Sequence, residues 1–129
     1  IFVVLVFIIL TITIVIPQVN NSFKRISDDM IKYLKEKENL VLYNSYNLGG
    51  YLIYKDIPVF IDSRADIYIN CNFSDACQIE KGYQPNLLEK YNFNTLIIEN
   101  KSGAYSYLKN NDNYELYMQD KNNSLFIKK

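Results

Sequence analysis

The first 16 residues, IFVVLVFIILTITIVI, carry no charge, and Thr11 and Thr13 are their only polar members. No other feature restricts the fold as much. A soluble strand does not run to this length. As a helix the run rises roughly 24 Å, close to the hydrocarbon thickness of a bilayer. The Thr hydroxyls are tolerable there because each can bond a carbonyl one turn back. A basic n-region and a small-residue cleavage site, the marks of a signal peptide, are not visible. Residues 1–17 therefore read as the end of a transmembrane helix closed by Pro17, with further sequence expected upstream of Ile1. Lys24, Arg25, Lys32 and Lys35 follow the run, and under the positive-inside rule they favour the cytoplasm. A long domain translocates largely regardless of charge, however, so charge alone leaves the orientation near even.

The remaining 112 residues are about 44% apolar, ordinary for one globular domain with one core. Composition excludes several chemistries. There is no His, hence no His triad, no imidazole base and no His metal ligand. The 2 Cys are too few for an all-Cys zinc site, and no metal or cofactor is expected. With 4 Gly, neither GxGxxG nor a P-loop fits. Fourteen basic residues balance 14 acidic ones, which argues against a nucleic-acid partner.

Val19, Phe23, Ile26, Met30 and Tyr33 recur at helical spacing. This predicts an amphipathic connecting segment over 18–39, helical over 20–38, whose stripe packs on the following domain. Asn39 suits a left-handed cap. The soluble domain then spans 40–129. Leu40–Tyr43, Pro58–Ile61 and Thr95–Glu99 are strand candidates, and their continuous apolar character suits strands covered on both faces. Pro85 opens a helix near Pro85–Tyr91, and Ser102 caps one over Gly103–Lys109. Tyr114–Met118 and Ser124–Ile127 read as a hairpin. The expected fold is β-α-β-α-β-α-β-β, a small three-layer α/β domain. Its sheet is mixed and mainly parallel, with a C-terminal hairpin.

The densest group of candidate residues is NSYNLGGYLIYKDIPVFIDSRADIY, from Asn44 to Tyr68. Gly49 and Gly50 permit a sharp entry or a close approach to another chain or ligand. Asp62, Arg64 and Asp66 follow a strand candidate, where α/β sheets bind ligands. Arg64 is one of two arginines in a chain that otherwise uses Lys, which suggests a need for its planar fork. The simplest expectation is that Asp62 and Asp66 both pair with Arg64 and fix the loop. An acid/base pair of Asp62 and Asp66 is the catalytic alternative. Cys71 and Cys77 can close a small disulfide loop in an oxidising compartment, and in the cytosol they would be free thiols.

GGYLIY followed by PVFIDSRADIY resembles the GGYL…FIDGRADLY signature of bacterial polytopic membrane proteins with a glycosyltransferase- or oligosaccharyltransferase-like architecture. Tyr46, Gly49, Gly50, Tyr51, Leu52, Phe60, Asp62, Arg64, Asp66 and Tyr68 match it. Ser63 stands where the family usually has Gly. The resemblance implies a C-terminal soluble domain outside the cytoplasm, attached to an integral plasma-membrane protein. It implies that transfer chemistry lies in membrane-embedded loops upstream, so that the domain itself has no catalytic residue. The implied partners are the lipid bilayer, the transmembrane part of the same protein and lipid-linked carbohydrate. A purely structural domain is the competing expectation.

Overall fold

The computed structural model describes residues 25–129. The apolar run 1–16, Pro17, and the Val19 and Phe23 positions of the predicted helix lie outside the described residues. No helix of the described residues is long and apolar enough to cross a membrane.

Helix α1 is Asp28–Glu36, shorter than the 20–38 that the periodicity predicts. Its start is set by Ser27, whose Oγ accepts from the Met30 N–H, with Asp28 and Asp29 at the positive end of the helix dipole. Ile26 and Met30 of the stripe are buried and Tyr33 packs against the same core, so this part of the stripe does pack on the domain. Buried Ile31 and Leu34 join them from outside the stripe. Asn39 takes a left-handed conformation (φ 53°), three residues past the helix end, in the turn leading to strand β1.

Strand β1 is Leu42–Asn44 and strand β2 is Thr95–Glu99; they pair in parallel. Strand β3 is Tyr114–Gln119 and strand β4 is Asn123–Lys128; they form the expected hairpin, with a bulge between Leu116 and Met118. Strand β4 also pairs antiparallel with β2, giving the order β1-β2-β4-β3. The fold is α/β with a mixed sheet, but the balance differs from expectation: one pairing is parallel and two are antiparallel.

The difference comes from Pro58–Ile61, which joins no ladder. Pro58 has no N–H to give. The backbone of Phe60 and Ile61 is held instead by side chains, with Asn72 Nδ2 donating to the Phe60 carbonyl at 2.9 Å and Asn44 making the other bonds. Asn44 Oδ1 accepts from the Phe60 N–H at 2.8 Å, and Asn44 Nδ2 donates to the Ile61 carbonyl at 2.7 Å. The segment still alternates like a strand, with Val59 packed against one core and Phe60 against the other.

Between β1 and β2 lie a 3-10 turn at Tyr46–Leu48, helix α2 (Gly49–Tyr54), helix α3 (Ala65–Tyr68), helix α4 (Phe73–Glu80) and a 3-10 helix at Pro85–Tyr91. Helix α5 is Ala104–Lys109, and Ser102 Oγ accepts from the Ala104 N–H at its start. The sheet separates two cores. One joins Ile97 and Leu125 to α1 and α2 through Met30, Leu34 and Leu52. The other joins Leu96, Ile98 and Phe126 to α4 and α5 through Ile79 and Leu108. Helices therefore cover both faces, the three layers that the continuous apolar strands require.

Candidate functional site

The sequence candidates converge on one corner of the molecule, past the carboxyl end of β1. The chain passes from β1 into the 3-10 turn and α2, then returns as the 58–68 segment. Asn44, fully buried, sits under the return, and Gly49 sits against it. A Cβ on Gly49 would overlap the Ile61 carbonyl oxygen and lie 2.6 Å from the Asp62 Cα. The close approach that a Gly-Gly pair permits is thus made by the chain's own backbone. It uses Gly49 only, since Gly50 is exposed with open space around it.

Asp62, 1% exposed, is the centre of a closed latch. Arg64 grips its carboxylate with both arms of the fork, Nε to Oδ1 at 2.9 Å and Nη2 to Oδ2 at 2.7 Å. The Arg64 N–H also donates to Oδ1 at 2.9 Å, and the Tyr68 hydroxyl donates to Oδ2 at 2.8 Å. The bond from Arg64 is the largest influence holding the Asp62 carboxyl far below the usual carboxylate range. Tyr68 is pushed up, first by burial and then by its bond to Asp62. The latch closes a loop of seven residues and supports α3. The Tyr46 hydroxyl adds a bond to the Ser63 carbonyl at 3.2 Å.

Asp66 takes no part. It is exposed on α3, so only one of the two expected carboxylates pairs with Arg64. The helical turn explains this: Ala65–Tyr68 carries Asp66 away from the Asp62 side while Tyr68 reaches back to it. Tyr51 also stands apart from the latch, beside Lys55, whose Nζ lies 5.5 Å from its ring centroid. Cys71 and Cys77 are free thiols. Cys71 is exposed after α3, with Sγ 3.3 Å from the Tyr68 carbonyl, while Cys77 lies half-buried on α4.

A second polar group lies beneath the same corner, and it gave no signal in the sequence. Ser45 Oγ donates to Glu80 Oε1 at 3.0 Å and accepts from the Glu99 N–H at 3.0 Å, linking α4 to the end of β2. Glu80 Oε2 and the Tyr43 hydroxyl are buried, and among the described residues neither has a hydrogen-bond partner. Burial pushes the Glu80 carboxyl up, and the nearby Glu99 charge adds to the rise. Burial also drives Tyr43 far above its ordinary value, with Glu80 adding to it. Glu80 opens onto a cleft of about 190 Å³ that is otherwise walled by Tyr46, Asn47, Ile61, Ala76, Cys77 and Lys81.

Chemically, the latch is closed. Both Asp62 oxygens are occupied, so Asp62 has no lone pair poised for proton transfer, and Asp66 is not its neighbour. Among the described residues no group of three or more acidic or Cys side chains is placed to hold a metal ion. Comparison with protein-family models, with curated proteins and with solved structures finds no match.

Proposed function

We propose that residues 25–129 form a non-catalytic accessory domain of a polytopic membrane protein resembling glycosyltransferases, outside the cytoplasm beside lipid-linked sugars. The observation that supports this reading is how the signature residues are used. Gly49, Asp62, Arg64 and Tyr68 are consumed in shaping one corner, with nothing left over for acid/base work. Among the polar groups that this corner turns outward stand two bare isoleucines: Ile67 is 55% exposed and Ile69 66%. A latch that holds two isoleucines in water fits a domain that docks on the membrane-embedded part of its own protein.

The test uses the full-length protein in proteoliposomes with a lipid-linked sugar donor. Ile67→Ser combined with Ile69→Ser should lower transfer several-fold and leave the thermal midpoint unchanged. A wild-type protein that transfers no sugar from any lipid-linked donor would overturn the reading. Transfer unaffected by the double substitution would leave a structural domain that takes no part in the reaction.

A further inference from the structure

The groove past the carboxyl end of β2 has a different character from the latch. It holds about 410 Å³ and is lined by Arg25, Leu48, Glu99, Lys101, Lys121 and asparagines. Arg25, Lys101 and Lys121 come from three segments far apart in sequence: the approach to α1, the loop before α5, and the β3–β4 turn. All three are exposed. Glu99 is the one acidic lining residue, and its carboxylate is already engaged by Asn47 Nδ2 at 2.9 Å and by Lys101 at 3.6 Å. Asp120, in the turn below, points its carboxylate at the N–H groups of Ser27, Asn122 and Asn123. The groove is left with a surplus of cationic donors.

Arg25 is also fixed in place. Its carbonyl accepts from Asn123 Nδ2 at 2.7 Å, and its Nη1 donates to the Asn47 carbonyl at 3.2 Å. A guanidinium has five N–H donors, and among the described residues only the Asn47 carbonyl takes one of them. It is the second of the two arginines in the chain, and its fork matches phosphate oxygens as Arg64 matches a carboxylate. Arg25 follows Pro17 by eight residues, a reach of at most about 28 Å. If the apolar run lies in a bilayer, the groove opens within reach of the headgroups.

We infer that this groove binds the phosphate or diphosphate group of a ligand, either free or carried on a lipid, between Arg25, Lys101 and Lys121. The inference adds a site to the reading above, yet the binding assay involves no sugar transfer, so either can fail alone. The chain is placed in phosphatidylcholine nanodiscs and titrated with inorganic pyrophosphate. A parallel set of nanodiscs contains a polyprenyl phosphate.

Saturable shifts at the Asn122 amide are expected. Lys101→Gln with Lys121→Gln should weaken binding about tenfold, and Arg25→Gln should act in the same direction. Lys109→Gln, on the exposed side of α5, should change nothing. A response to pyrophosphate identifies a soluble ligand; a response only to the polyprenyl phosphate discs identifies a lipid-borne one. No response to either probe overturns the site. So does equal weakening by Lys109→Gln, which would reduce the effect to bulk charge.

Discussion

Gly49 and Asp62 pack so closely that a methyl group on Gly49 would lie 2.6 Å from the Asp62 Cα. The obstacle is backbone, held from behind by Asn44, and it cannot swing aside as a long side chain would. Gly49→Ala should therefore lower stability by about 3 kcal/mol, the upper range for overpacking. Gly50→Ala is the control. It sits in the same helix with open space around it, and it should be neutral or stabilise by about 0.5–1 kcal/mol through helix propensity. Denaturant melts of the two variants check this; equal effects would refute it.

Asn44 stands in for most of a strand ladder with one carboxamide, using its donors on the Ser45 and Ile61 carbonyls and its oxygen on the Phe60 N–H. Asn44→Ala leaves the Phe60 N–H and the Ile61 carbonyl without partners, while the Ser45 carbonyl keeps the Leu48 N–H. The expected loss is about 3 kcal/mol, from more than one unsatisfied group at 1–3 kcal/mol each. Asn44→Asp should be no rescue, because it keeps the acceptor, removes the donors and buries a charge.

These two residues show what a sequence can and cannot declare. Thr95–Glu99 was legible because three consecutive buried apolar residues, Leu96, Ile97 and Ile98, need cover on both faces. Pro85, Ser102 and the hairpin were legible because their signals are local. Pro58–Ile61 carries the same apolar signal as a true strand; what ties its backbone is not a ladder but the carboxamides of Asn44 and Asn72, both distant in sequence. Arg64 was found through its rarity, but its partner was only half right, since a helical turn decides that Tyr68 and not Asp66 faces Asp62. Glu80 looks like any polar helix residue until the β1–β2 end closes over it. Arg25 has the same rarity as Arg64, but beside Lys24 and just ahead of Asp28 and Asp29 nothing local sets it apart from a solvated charged stretch.

The latch makes a pH prediction with a definite sign. The folded Asp62 carboxyl is held below its unfolded value of about 3.9. Its contribution is therefore fully present above that value and is lost as pH falls through the folded one. Asp62→Ala should cost about 2–3 kcal/mol at pH 7, as the buried acceptor of several charge-assisted bonds. Arg64→Lys keeps the charge, loses the fork, and should cost less because its side chain is 62% exposed. Melts at pH 7 and below pH 4 check this: the gap between wild type and Asp62→Ala should narrow in acid.

Cys71 and Cys77 should behave as two separate thiols. Exposed Cys71 should react first with a maleimide, half-buried Cys77 more slowly, and both without prior reduction. Non-reducing mass analysis showing a linked pair would contradict this. On intact cells expressing the full-length protein, an impermeant maleimide should label Cys71 if the domain lies outside the cytoplasm. Labelling only after lysis would move it inside.

Glu80 should show the opposite sign to Asp62. Its folded pKa is raised, burial being the main cause, so ionising it weakens the fold. The penalty is absent below the unfolded pKa of about 4.3, grows as pH rises from there, and is complete above the folded value. Glu80→Gln removes the charge and keeps an oxygen for Ser45 Oγ. Its new amide can donate to the Tyr43 hydroxyl, which has no hydrogen-bond partner among the described residues of the wild type. Both changes act in one direction, and the variant should be more stable by about 1 kcal/mol at pH 7. At pH 4 the wild-type carboxyl is itself largely protonated, and the gain should shrink. Thermal midpoints at the two pH values decide the matter: a Glu80→Gln chain less stable than wild type at pH 7 would mean that the ionised carboxylate has a favourable role in this corner.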